Sequence, residues 1–120
     1  MKINETAGRK AERSAATYLE AQGHEILHKN WRTKWCEIDI ISRTGKRKQQ
    51  VIHFTEVKYR KSSLSDSMLA VTSAKVSQLE FAAQLWIQEH ATTSASYQID
   101  VVAVSGEELF SFRYIENITG

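Results

Sequence analysis

The feature that most constrains this chain is a pair of strand-like segments joined by a very short connection. Residues 50–59 are dense in apolar side chains, and residues 36–42 alternate so that Ile38 and Ile40 fall on one face. Residues 44–46 between them, Thr-Gly-Lys, have the composition of a turn. Because the connection is so short, the two segments are expected to pair as antiparallel neighbours. Any fold for this sequence must contain that hairpin.

Helices and further strands surround the hairpin. Apolar spacing predicts a first helix over 7–22, ended by Gly23, and a second from Thr72 or Ser73 to about His90. The other predicted segments are strands over 24–32, 97–104 and 109–115, a mobile polar loop over 60–71 and a small-residue linker over 91–96. The order α-β-β-β-α-β-β implies one α/β domain over 1–120, with a mixed sheet and a helix on each side.

Composition excludes several classes of protein. Hydrophobic residues make up 42% and charged residues 25% of the chain, as in ordinary globular domains. No apolar run approaches the roughly 20 residues that span a bilayer, and the N-terminal residues have no hydrophobic signal core. Cys36 is the single cysteine, so neither an internal disulfide nor a cysteine-based zinc site is expected. We therefore expect a cytoplasmic protein with no membrane partner.

Charge is distributed unevenly along the chain. The net charge is only +2, but residues 29–61 carry ten Lys and Arg against three Asp and Glu, a net +7. A polyanion would meet one strongly positive segment that also contains three carboxylates. A solvated basic turn would give the same count, so charge alone leaves both interpretations open.

The three carboxylates of this segment can be placed on one face of the hairpin. Side chains two residues apart in a strand point the same way, so Glu56 shares a face with Lys58, and Glu37 with Asp39. Three clustered carboxylates repel unless a cation neutralises them. Carboxylates and a main-chain carbonyl, here that of Val57, are ligands that suit Mg²⁺ or Mn²⁺. The alternative is a surface pair of Glu56 and Lys58, with Asp39 as a cross-strand partner worth less than about 1 kcal/mol.

A wider pattern resembles a known family. It comprises Gly8, Ala11-Glu12, Tyr18-Leu19, Asn30-Trp31-Arg32, Glu37 to Ile41, Phe54 to Arg60, Lys75 and Ile99 to Val104. In this order and spacing the chain resembles the YraN-like family of small bacterial proteins. That family is similar to the PD-(D/E)xK nuclease superfamily, which has the restriction-endonuclease-like fold, and within it to archaeal Holliday junction resolvases.

The resemblance implies roles for particular residues. Asp39 matches the first metal-binding acid, Glu56 the second and Lys58 the active-site lysine. Glu12, on the first helix, matches an acid that completes the site in resolvase-like members. Glu37 belongs to the family pattern as a further ligand or as a structural partner. These matches imply catalysis by Asp39, Glu56, Lys58 and Glu12 with Mg²⁺ or Mn²⁺ as cofactor.

Contacts to nucleic acid are expected from the basic segment and from the second helix. The candidates are Arg32, Lys34, Arg43, Lys46, Arg47, Lys48, Arg60 and Lys75. Trp31 and Trp35 lie among the first of these cations and could stack on bases, although core packing is the expected fate of at least one of them. The four histidines have no metal-ligand spacing and are expected to be structural or superficial.

Three functions are compatible with these features. The first is a divalent-metal-dependent endonuclease acting on structured or branched DNA. The second is a nucleic-acid-binding module of the same fold without turnover, and the third is an interaction domain whose carboxylates form a buried polar network. A homodimer is a further possibility, because resolvase-like relatives cut two symmetric positions and residues 109–112 offer an apolar edge. Ordinary core packing of those residues is the alternative.

Overall fold

The computed structural model describes residues 5–46, 48–62, 71–90 and 95–120. Its elements follow the predicted order, so the α/β class and the topology are confirmed. They are α1 (Ala7–Ala21), β1 (Glu25–Arg32), β2 (Glu37–Thr44), β3 (Val51–Arg60), α2 (Ser73–His90), β4 (Ser96–Ser105) and β5 (Ser111–Ile115). In the described part of the chain, no helix is long and apolar enough to cross a bilayer.

The five strands form one mixed sheet in the order β1-β2-β3-β4-β5. β3 pairs antiparallel with β2 and parallel with β4, and the other neighbours are antiparallel. The predicted hairpin is therefore present, and Gly45 makes its turn possible. Gly45 has φ of 88°, and a Cβ there would lie 2.1 Å from the main-chain oxygen of Gln49. Only glycine fits this position without moving the backbone.

The sheet separates two apolar layers, each covered by one helix. α2 packs its buried residues Leu79 and Trp86 with Phe54 of β3. α1 covers the other layer largely through alanines, with Leu19 as its largest buried side chain. Thr6 caps α1 by accepting a hydrogen bond from the N–H of Arg9 at 3.2 Å.

The alternation predicted for β2 is wrong at one point. Ile38 packs in the α2 layer with Ile41, whereas Ile40 packs in the α1 layer. The break coincides with the last residue pair between β2 and β3, Ile40 with Thr55. Beyond this pair β2 is held by β1 alone, and Asn30 of β1 adopts a positive φ of 52°. The strand is therefore free to turn its side chains, and strict period two fails where the two strands separate.

Several predicted boundaries also move. β2 continues to Thr44, β3 to Arg60 and β4 begins at Ser96, so each of these strands includes one residue of the predicted turn, loop or linker. The predicted last strand is wrong at its start, because β5 begins at Ser111 and Leu109 is 91% exposed. The local pattern could not show this, since an exposed turn can carry apolar side chains. Residues 63–70 of the predicted loop and 91–94 of the predicted linker lie outside the described residues.

Candidate functional site

Asp39 and Glu56 meet where β2 and β3 separate. The register that pairs Ile40 with Thr55 places Asp39 opposite Glu56, and directly opposed residues in a sheet have neighbouring side chains. Asp39 Oδ2 accepts a hydrogen bond from the N–H of Val57 at 2.8 Å. The Asp39 carboxylate thus occupies the place where the next rung of the ladder would form, and it is fixed on the backbone of β3. Val57 contacts Asp39 through its N–H. The role of the Val57 carbonyl as a metal ligand stays a prediction.

Two further carboxylates approach Asp39. Oxygens of Glu12, Glu37 and Asp39 all lie within 4.8 Å of one another. Glu12 comes from α1, where it follows the buried Ala11 and so borders the face that packs on the sheet. With the Asn30 amide oriented to satisfy its neighbours, its nitrogen donates to Glu37 Oε1 at 2.8 Å and to Glu12 Oε2 at 3.1 Å. Asn30 therefore links the helix carboxylate to the strand carboxylate.

The crowding of acids changes the pKa of Asp39. Burial and the nearby carboxylates of Glu56 and Glu12 raise it to about 8, although the hydrogen bond from Val57 opposes the rise. Burial and the neighbouring Glu37 also raise the pKa of Glu12. A cluster of acids with raised pKa values holds more negative charge than its surroundings stabilise. It is therefore a place where a proton or a cation is favoured.

Glu56 and Lys58 share a face of β3, as their spacing predicts, and line one depression of about 230 Å³ with Val71, Thr72 and Lys75. Asp39 and Glu12 line a separate depression of about 180 Å³. The carboxylates of Asp39 and Glu56 thus lie between two openings. A ligand could approach the pair from either opening.

Lys75 supplies a cation to this site from the first turn of α2. Its Nζ lies 3.3 Å from Glu56 Oε2, an oxygen that makes no hydrogen bond of good geometry within the described residues. Burial lowers the pKa of Lys75, but the carboxylate of Glu56, with smaller contributions from Cys36 and Asp39, holds the pKa above its usual value. The predicted cap is also present, because Thr72 Oγ1 accepts from the N–H of Lys75 at 3.1 Å. Lys75 was predicted as a nucleic-acid contact; in this structure its ammonium is paired with Glu56.

The donor set fits a hard divalent cation. Mg²⁺ holds oxygen ligands at about 2.1 Å, so two ligand oxygens lie about 3 to 4 Å apart. The 4.8 Å bound on the oxygens of Glu12, Glu37 and Asp39 needs only a small contraction to reach that spacing. Glu37 is the least available of these, because Arg32 Nε lies 3.0 Å from its Oε2 and Asn30 engages its Oε1. Asp39 and Glu12 are the more available members of this group, and the role of Glu56 as a metal ligand stays a prediction, because Lys75 lies beside its Oε2.

The other predicted nucleic-acid contacts divide into paired and exposed cations. Arg43 donates through Nε and Nη2 to Glu25 Oε2, at 3.2 and 2.5 Å, and Arg32 is paired with Glu37. Besides Arg32, which is paired and still exposed, the solvent-exposed contacts are Lys34, Lys46, Lys48 and Arg60. Arg47 lies outside the described residues. Trp31 packs on the core, as expected for one of the two tryptophans, whereas Trp35 is 65% exposed.

Sequence reasoning missed the role of Asn30. The signal available was an asparagine inside a strand-like run, since asparagine tolerates positive φ better than other non-glycine residues. It also missed that His24 and His53, with ring centroids 4.4 Å apart, join a polar network around the buried Asp100. An aspartate within the apolar run 99–104 was the signal for that network, because a buried carboxylate needs partners.

Fold and site together define a small α/β protein with a carboxylate cluster at the separating ends of two central strands. A family model described as "Uncharacterised protein family UPF0102" matches residues 11–104. The chain belongs to this family, UPF0102 or YraN. A UPF0102 protein of Neisseria meningitidis serogroup C is 30% identical over the full length of both chains. One of Geobacter metallireducens is 39% identical, over 85% of this chain and 81% of its own.

Proposed function

We propose that this protein is a divalent-metal-dependent endonuclease that acts on structured or branched DNA. The observation that carries the proposal is the contact of Asp39 with Glu56, flanked by Glu12 and with Lys58 beside Glu56. The raised pKa of Asp39 supports the proposal, because a bound cation would favour the ionised form of this carboxyl group. Bound there, Mg²⁺ or Mn²⁺ would supply a positive charge that polarises a phosphodiester and activates water.

The residues of the site have separate tasks in this proposal. Asp39 and Glu56 hold the ion, and Glu12 supports them from α1. The Val57 N–H fixes the direction of the Asp39 carboxylate, so little reorganisation is needed on binding. Lys58 presents an ammonium to the phosphate oxygens and stabilises the negative charge that develops there.

Nucleic acid as substrate is supported by charge. Residues 29–61 contain most of the site and carry a net charge of +7. The segment therefore attracts a polyanion even though it contains three carboxylates. The exposed cations of this segment attract phosphates at longer range and offset the repulsion by the carboxylates. A structured or branched DNA is proposed because it is the substrate class that the family resemblance suggests.

The proposal is tested with purified protein on labelled branched, single-stranded and duplex DNA, with Mg²⁺, Mn²⁺ or EDTA. We expect cleavage of the branched substrate only with metal, and its loss by at least about 100-fold in Asp39→Asn, Glu56→Gln and Lys58→Met. Titration calorimetry with Mn²⁺ should show one binding event that both carboxylate variants weaken.

Matched controls are available on the same protein. Lys61→Met and Glu107→Gln change an exposed ion pair 3.7 Å apart near the end of β3, and both should retain cleavage. If the wild-type protein binds DNA but cuts none of these substrates with either metal, the nucleic-acid-binding module replaces the nuclease as the proposed function. Unfolding of Asp39→Asn would instead favour the interaction domain.

A further inference from the structure

Two aromatic side chains, one on the β1–β2 connection and one on α2, lie exposed and in contact with each other. Trp35 is 65% exposed and Phe81 of α2 is 51% exposed, with ring centroids 5.9 Å apart and planes at 76°. Large aromatic side chains usually bury most of their surface, as Trp86 does on the same helix. The exposed pair is therefore available to a ligand.

The turn that carries Trp35 is held rigidly. Thr33 Oγ1 accepts from the N–H of Trp35 at 3.2 Å and from that of Cys36 at 2.9 Å. The N–H of Thr33 donates to the Cys36 oxygen at 2.7 Å, and Cys36 is buried in the α2 layer. These bonds hold the backbone on both sides of Trp35, so the turn needs little ordering when a ligand stacks on the exposed indole.

Charge and size favour a nucleobase over another protein. Lys34 Nζ lies 5.8 Å from the centroid of the Trp35 ring, so a cation that can meet a phosphate accompanies a surface that can stack on a base. The two exposed side chains offer at most about 300 Å² between them. A stable protein interface needs about 800 Å² from each partner, well above that area.

The aromatic pair is carried by the same elements as the acidic site. Trp35 directly precedes Cys36 and β2, the strand that holds Asp39, and Phe81 lies on α2 with Lys75, whose ammonium pairs with Glu56. We infer that Trp35 and Phe81 receive an unpaired nucleobase from a single-stranded segment next to the phosphodiester held at the site. This inference rests on the proposed function and narrows its substrate to DNA that has unpaired bases beside the point of cleavage.

Binding in EDTA tests the inference without cleavage. The probes are an oligothymidylate of about ten nucleotides and a blunt duplex of the same length, titrated while tryptophan fluorescence is followed. We expect oligothymidylate to quench the fluorescence, and Trp35→Ala and Phe81→Ala each to weaken its binding about tenfold, with duplex binding unchanged. Trp35→Phe should keep most of the affinity and lose most of the quenching.

The control is Leu109→Ala, which removes another exposed apolar side chain at the β4–β5 connection and should change neither ligand. Thermal unfolding of each variant should match the wild type, because the altered side chains are exposed. Equal loss of duplex and oligothymidylate binding, or no loss in Trp35→Ala, would overturn the inference. So would self-association of the wild type that Trp35→Ala abolishes. If oligothymidylate binding depends on Trp35 but the protein cuts no substrate, the stacking inference holds and the proposed nuclease activity is contradicted.

Discussion

At the scale of single residues, Asp39 has surroundings that act on its charge in opposite directions. The N–H of Val57 favours the charged carboxylate, whereas burial and the carboxylates of Glu56 and Glu12 favour the neutral acid. The second influence is stronger, and the pKa rises to about 8. Without a metal ion, the Asp39 carboxyl group therefore changes its charge near neutral pH, and the stability of the fold should record that change.

We predict that Asp39→Asn is more stable than the wild type at high pH in EDTA. The pKa of Asp39 in the folded protein lies above its unfolded value of about 3.8. The protonated carboxyl group therefore stabilises the fold fully below pH 4, and this stabilisation is lost as pH rises towards 8. Asparagine stays neutral, so the variant's advantage should grow between pH 5 and pH 9 by about 1 kcal/mol or more. Urea unfolding at several pH values measures it, with Glu107→Gln as the exposed control. An Asp39→Asn variant that is less stable than the wild type at pH 9 would contradict the prediction.

The sequence predicted the Asp39–Glu56 contact but could not predict Asn30. The contact depends on local rules, because a short turn sets the register of a hairpin and alternation then sets the facing side chains. Asn30 acts through its backbone conformation and through the position of α1 above β1. Both depend on tertiary packing, and no spacing in the sequence reports them.

At the scale of elements, a buried polar network joins β2, β3, β4 and β5, together with the residue before β1, at the α1 side of the sheet. His53 of β3 contacts Asp100 Oδ2 of β4 through Nδ1 at 2.7 Å, and Tyr114 of β5 donates to the same oxygen. His24, next to β1, contacts Ser42 of β2 through Nδ1 at 2.8 Å. These hydrogen bonds hold the pKa of Asp100 below its usual value despite burial. The network therefore fixes the order of the strands as well as satisfying a buried charge.

The histidines of this network were expected to be structural or superficial, and His24 and His53 are buried. Their meeting could not be predicted, because it needs the register of β1 with β2 and of β2 with β3 together. The parallel pairing of β3 with β4, which brings Asp100 beside Thr55, depends on the crossover through α2. Contacts of this kind join residues far apart in sequence, where local patterns carry little information.

We predict that His24 makes the fold sensitive to acid. Burial and the neighbouring His53 lower the pKa of His24 below 6.5, although Asp100 opposes them. The stabilising effect of the neutral ring is complete above about pH 6.5 and is lost as pH falls below it. Between pH 7 and pH 5 the wild type should lose stability relative to His24→Asn. Urea unfolding of both proteins at several pH values measures this change. A constant difference between wild type and His24→Asn would contradict the prediction.

At the scale of the whole molecule, the basic segment of the sequence is divided into two regions. Lys46 and Lys48 lie at the β2–β3 turn, whereas the carboxylates lie at the other end of the same strands. Five strand residues separate Asp39 from the end of β2, a distance of about 17 Å. A polyanion that touches both regions must span that length, which corresponds to about five base pairs of duplex.

The last prediction concerns the salt dependence of DNA binding, and it separates exposed from paired cations. Each phosphate contact that is lost should reduce the slope of log affinity against log salt by about 0.9. Lys46→Ser combined with Lys48→Ser should therefore reduce the slope for a branched DNA with long arms by about 1.8. Arg43→Ser should have a smaller effect, because Glu25 already neutralises Arg43 through two hydrogen bonds. Fluorescence anisotropy in EDTA between 50 and 200 mM salt, a range over which phosphate contacts change affinity by about 1,000-fold or more, measures both slopes.

An unchanged slope in the double variant would mean that the turn is a solvated loop that DNA does not touch. A larger effect from Arg43→Ser than from the double variant would mean that DNA displaces Glu25 from Arg43 on binding.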